Sequence, residues 1–121
     1  MSTVLCIDDN AESLNIRKFI LGQKGYSVLT ADNGADGLAA LAENPVDVVV
    51  LDYRMPDMDE LAVATAIRKR HGNILLLTGC LDEVPEELSH IVDASLTKGE
   101  HPEVLLRKLR RLTQREEASC A

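Results

Sequence analysis

Five short apolar runs, each followed by a stretch with helical spacing, constrain this chain more than anything else in it. The runs are TVLCI at 3–7, YSVLTA at 26–31, VDVVVL at 46–51, ILLLT at 74–78 and ASLT at 94–97. They have the length and β-branched content of strands. The third and fourth are apolar almost throughout, as strands covered on both faces must be. Helices are predicted over 11–23, 35–43, 59–71, 83–91 and 102–115. Gly25 and Gly72 follow the first and third as stop signals, and Pro45 follows the second. Pro102 stands where a first helical turn accepts it, and Leu105, Leu109 and Leu112 repeat at the i, i+4, i+7 spacing of a buried stripe. Five β/α units without a linker or repeat predict a doubly wound parallel sheet with helices on both faces. One domain should span 1–121, with its core over about 3–115 and a short tail at 116–121. Trp is absent and the aromatic residues are Phe19, Tyr26 and Tyr53, so that core must be built from Leu, Val, Ile and Ala.

In open parallel sheets, ligands bind beyond the carboxyl ends of the strands. Those ends carry Asp8 and Asp9 after the first run, Asp52 after the third, Thr78 at the end of the fourth and Lys98 after the fifth. The second ends in Ala31, Asp32 and Asn33. If the first and third strands are neighbours, as in the order 2-1-3-4-5, three carboxylates converge on one pocket. Two like charges about 4 Å apart repel by roughly 4 kcal/mol at an effective dielectric near 20. Either one takes a proton or a cation binds among them. Oxygen donors without His or Cys favour a hard ion, of which Mg²⁺ is the natural choice. Beside such an ion, an Asp oxygen can attack phosphorus and become an acyl phosphate, with Lys98 and Thr78 holding the other oxygens. Each residue also has a plainer reading. An acidic pair after a strand can cap a helix, Asp52 can be a turn residue, Lys98 a solvated charge and Thr78 an ordinary strand residue. Their joint occurrence at four strand ends favours the phosphoryl site.

With these residues in place, the sequence resembles the receiver domain of bacterial two-component response regulators, of the single-domain, chemotaxis-regulator kind. VLCIDDN, LDYRMPDMD, LLLTG and LTKG carry the resemblance across nearly the whole chain. It implies a flavodoxin-like fold and a module phosphorylated on one aspartate by a histidine kinase, a histidine phosphotransfer protein or a small phosphodonor. It makes Asp52 the acceptor and Asp9 a direct Mg²⁺ ligand, with Asp8 bound to the ion directly or through water. The backbone carbonyl of Arg54 would be a further ligand, and Lys98 and Thr78 would contact the phosphoryl group. Such a module is no enzyme in the ordinary sense, although it catalyses its own phosphorylation and dephosphorylation. The positions of Arg54 and Cys80 flank the phosphoryl group in the family, and Arg54 is expected to shield or pair with it. Three positions depart from the family pattern. Ser95 stands where an aromatic residue is common, Gly99 where a Pro usually follows the Lys, and Glu60 where a Gly is common.

The remaining composition narrows the alternatives. A net charge of −7 and a pI near 4.9 argue against binding nucleic acid, which requires phosphate neutralisation, and against anionic membranes. No apolar stretch approaches the roughly 20 residues of a membrane helix, and with no basic region before an apolar one at the N-terminus a signal peptide is not expected. Cys6, Cys80 and Cys120 are odd in number and widely spaced, so neither a disulfide framework nor a zinc site is expected, which fits a reducing cytoplasm. A dehalogenase-type phosphohydrolase would need an acid two residues after its nucleophile, where this chain has Arg54. A flavin site would need a phosphate-cradling loop where this chain has its acidic pair. A receiver-like module that binds proteins without phosphorylation remains the competing function. The acidic helix around 82–93 and the basic RKLRR at 107–111 also suggest homodimerisation through the face that includes strand 94–97, against the plainer reading of two solvated surfaces.

Overall fold

Parallel strands need a crossover between them, and the alternation of elements supplies a helix at each step. The structure, a computed structural model, describes residues 2–53, 59–70, 73–79 and 81–120, with side chains for all of these except 81 and 114–120. Its elements are β1 (Thr3–Ile7), α1 (Ala11–Gln23), β2 (Ser27–Ala31), α2 (Gly34–Glu43), β3 (Val48–Asp52), α3 (Glu60–Lys69), β4 (Asn73–Thr78), α4 (Glu86–Ile91), β5 (Ala94–Thr97) and α5 (Pro102–Cys120). The five strands are parallel in the order β2-β1-β3-β4-β5. This is the flavodoxin-like arrangement that the sequence predicts.

The alternation of side chains along each strand divides the core in two. Val4, Cys6, Val50, Leu75 and Leu77 face α1 and α5, where they meet Leu14, Leu21, Leu109 and Leu112. Leu5, Ile7, Val49, Leu51 and Leu76 face the other way, against Leu41, Val63, Ile67 and Leu88. The N-terminal end of the sheet is fastened by two carboxylates. Asp47 accepts the Thr3 N–H at 2.7 Å, and Asp93 accepts the Ile74 N–H at 2.8 Å while pairing with Arg68 at 2.7 Å. Asp93 therefore belongs to the scaffold rather than to the acidic surface expected over 82–93.

Element boundaries shift from the sequence-based prediction in several places, and three of the shifts have a physical reason or a consequence. The helix expected over 83–91 begins only at Glu86, after a 3₁₀ turn over Leu81–Glu83. Pro85 lies between them, and a proline ring without an N–H opens a helix more readily than it continues one. The third strand starts two residues later than predicted and ends one later, so that Asp52 lies within the ladder, opposite Leu77. The last helix continues to Cys120, through the stretch expected to be a tail, because no Gly or Pro after 102 stops it. Gly25 ends α1 in the left-handed region at φ 91°, as its stop role requires. Gly72 lies outside the described residues.

α2 crosses β1 at very short range. A Cβ at buried Gly37 would lie 2.5 Å from Ile7 Cδ1 and 2.9 Å from Ile7 Cγ1. Ile7 is itself fully buried, packed in the same core layer as Leu5, Leu51 and Leu41. A Gly37→Val variant should therefore lose about 1–3 kcal/mol to overpacking despite its better helix propensity. Urea unfolding should show a lower midpoint with an unchanged slope. An unchanged midpoint would mean that Ile7 repacks freely.

Candidate functional site

The segment after β1 separates capping from the acidic pair. Asn10, not an aspartate, caps α1, its Oδ1 accepting the Ser13 N–H at 3.0 Å. The two carboxylates are thus left to the strand end. Asp8 is buried, and its own N–H donates to the Ala31 carbonyl at 3.1 Å. Its Oδ1 accepts the Asn10 N–H at 3.0 Å, and its Oδ2 accepts both terminal nitrogens of Arg17 at 3.4 Å. Asp9 is exposed beside it. Because β1 and β3 are adjacent, with Ile7 opposite Leu51, the buried Asp52 comes up against this pair. Asp8, Asp9 and Asp52 each offer one carboxylate oxygen within 4.8 Å of the others.

The cations around this cluster come from two elements. Lys98 reaches in from the end of β5, and its ammonium pairs with Asp52 Oδ1. The Lys98 main chain is fixed by its own N–H, which donates to the Thr78 carbonyl at 2.6 Å. Gly99 then turns the chain at φ 93°, in the left-handed region that a glycine tolerates best. Thr78 is buried at the end of β4 but does not border the cavity that opens over the carboxylates. That cavity holds about 430 Å³, and its lining joins the charged Asp8, Asp9, Asp52, Arg17 and Lys98 with the apolar Ile16, Ile20, Leu96 and Leu105. Ser95, in the position where an aromatic residue was the norm, is half-buried opposite Leu76. Glu60 is simply the first residue of α3, behind Asp59, which caps that helix. Arg54 and Cys80 lie outside the described residues, and with them the expected carbonyl ligand and the phosphate-shielding guanidinium.

Burial governs the chemistry of Asp52. It pushes the carboxyl up from its ordinary value of 3.8 to about 6; the Lys98 hydrogen bond opposes this, the neighbouring Asp8 adds to it, and Arg17 weakly opposes it. A carboxylate so placed gains from any cation that can approach it. Three oxygen donors with no imidazole among them suit a hard divalent ion such as Mg²⁺. Burial likewise pushes the Cys6 thiol up to about 11, so Cys6 is an inert core residue.

Sequence reasoning missed Arg17. Its side chain is 13% exposed and points under the site. The signal was available, because Leu14, Arg17 and Leu21 stand at i, i+3, i+7 on α1 and the two leucines are buried. Two other large apolar residues of that helix, Ile16 and Phe19, instead face solvent at 55% and 68% exposure.

The arrangement can be compared with known proteins. Residues 4–110 match the family model described as the response regulator receiver domain. The transcriptional regulatory protein KdpE of Mycobacterium tuberculosis is 44% identical over 68 residues, which cover 56% of this chain and 30% of KdpE. The response regulator TrrA of Thermotoga maritima, solved in complex with Mg²⁺-BeF, superposes with a TM-score of 0.85 at 31% identity, covering 93% of this chain and 99% of TrrA. TrrA solved in complex with the histidine kinase ThkA gives 0.84 at 30% identity, covering 93% and 98%. Among the described residues no helix is long and apolar enough to cross a membrane. A parallel five-stranded sheet in this order, with an acidic cluster and a lysine at its carboxyl end, and a family match over most of the sequence leave one conclusion. The chain belongs to the response regulator receiver domain family of two-component systems.

Proposed function

We propose that this receiver is switched by Mg²⁺-dependent phosphorylation of Asp52, donated by a histidine kinase or a histidine phosphotransfer protein, and that residues 1–121 act as one unit in the cytoplasm. The observation that carries the reading is the convergence of Asp8, Asp9 and Asp52 with the Lys98 ammonium on Asp52. Asp9 and Asp52 would hold the ion, with Asp8 holding it directly or through water and the Arg54 carbonyl completing the set. When bound, the ion neutralises charge on the phosphoryl oxygens and on the carboxylates around them. One Asp52 oxygen attacks phosphorus, forming an acyl phosphate bond as the bond from phosphorus to the donor breaks. Lys98 balances charge on the acceptor and then on the transferred group, and the Thr78 hydroxyl donates a hydrogen bond to it. Water reverses the modification by attacking the same phosphorus, which returns the carboxylate and releases phosphate.

The donor has to approach along the rim of the cavity. Ile16, which lines the cavity, and Phe19, three residues further along α1, both stand exposed and offer an apolar contact for a helix bearing a phosphohistidine. The TrrA–ThkA complex supports a histidine kinase as the partner. Ser95 and Gly99 favour the second reading, a module that binds partners without phosphorylation, because the usual aromatic partner of the Thr is missing.

Intact mass after incubation with acetyl phosphate separates the two. We expect one added phosphoryl group that requires Mg²⁺ and disappears with a chelator. No addition, under conditions that label another receiver, would leave the phosphorylation-independent module.

A further inference from the structure

We propose that Arg17 is a built-in counter-cation that competes with the divalent ion for Asp8 and so sets how tightly the site takes metal. The inference rests on the metal reading given above and adds to it a residue that the acidic motif does not contain. Arg17 lies on the inward stripe of α1 between Leu14 and Leu21, where an apolar side chain would otherwise pack. Both of its terminal nitrogens converge on one oxygen, Asp8 Oδ2. The other oxygen, Oδ1, is taken by the Asn10 N–H. Each Asp8 oxygen therefore already has a donor before any ion arrives.

Charge makes the competition quantitative. Asp8, Asp9 and Asp52 against Arg17 and Lys98 leave one net negative charge, and without Arg17 they would leave two. Arginine stays charged at any pH the protein survives, so this counter-charge cannot be titrated away. The contact is long at 3.4 Å, whereas strong charge-assisted hydrogen bonds fall near 2.7–2.9 Å. It is therefore a pairing that a divalent ion can displace. Arg17 borders the cavity together with Ile16 and Ile20, which gives the guanidinium space to move aside while its stem stays packed.

Mn²⁺ serves as the probe, with its free concentration followed by electron paramagnetic resonance during titration of the full chain. Arg17→Met should bind Mn²⁺ about tenfold tighter than the parent, a change worth about 1.4 kcal/mol. Arg17→Gln provides a second neutral side chain should the Met variant fold poorly, and it carries the same expectation. Arg17→Lys, which keeps the charge, should stay within about threefold of the parent. Thermal melts give an independent readout. The neutral variants should melt lower than the parent without metal, and Mn²⁺ should raise their melting temperature by more than it raises the parent's. Equal or weaker Mn²⁺ affinity in the neutral variants would overturn the proposal while leaving the metal site intact. Absence of Mn²⁺ binding by parent and variants alike would overturn the metal reading and this proposal with it.

Discussion

Asp52→Asn should take up no phosphoryl group from acetyl phosphate and, without metal, should melt at a higher temperature than the parent protein. The first effect follows from removing the nucleophile. The second follows from where the nucleophile sits. Asp52 is 2% exposed beside buried Asp8, and its carboxyl is pushed up to about 6 from an ordinary 3.8. Below about pH 4 the folded and unfolded chains both hold this proton, and above about 6 neither does. Between the two the folded chain keeps a proton that the unfolded chain has lost, so this group makes stability fall as pH rises. The penalty is complete at neutral pH and amounts to at most about 3 kcal/mol, at 1.36 kcal/mol per unit of pKa. An Asn side chain escapes it. The Lys98 side chain is already 44% exposed in the pair, so its ammonium can hydrate once unpaired. Calorimetry of chelated protein should give a variant several degrees more stable at pH 7.5, with the gap closing towards pH 4. A variant that melts lower at pH 7.5 would mean that the pairing of Lys98 with Asp52 outweighs the cost of burial.

Lys98→Met should slow phosphorylation by a factor of about 100 to 1000, the usual loss when a preorganised group facing transition-state charge is removed. Methionine keeps most of the stem, so packing at the rim changes little. Removing Lys98 also removes the main influence holding the Asp52 carboxyl down, so that group should move further up. The pH at which the rate is half-maximal should therefore rise as well. Single-turnover labelling across pH tests both effects. A rate within threefold of the parent and an unmoved profile would reduce Lys98 to a rim charge.

Much of this was legible in the sequence, for reasons that differ by element. β3 and β4 are short, apolar and bracketed by breakers, so their number and their parallel pairing follow from burial on both faces. The strand order placed Asp52 beside Asp8 and Asp9, and the cluster followed from the order alone. What escaped depended on three-dimensional partners. Arg17 reads as a charge on a weakly amphipathic helix until Asp8 is seen above it. Asp93 reads as one more surface acid until the start of β4 is seen to need an acceptor. The start of α4 was misjudged because the acidic residues before Pro85 resemble a first helical turn. Thr78 is buried at the end of β4, a depth that periodicity does not foresee.

The spacing of the reactive end is set by main-chain bonds. Lys98 hangs from the Thr78 carbonyl and Tyr53 from the Leu77 carbonyl, so the lysine and the residue that follows Asp52 are both held to β4 by backbone groups. Side chains along the interior of the sheet can then be exchanged for others of similar volume without altering the distance between carboxylate and ammonium. A unit with that property is portable. It can be joined to unrelated neighbours in a longer chain, and its outer helices can diverge to suit new partners, while the reacting groups keep the geometry that the ladder gives them.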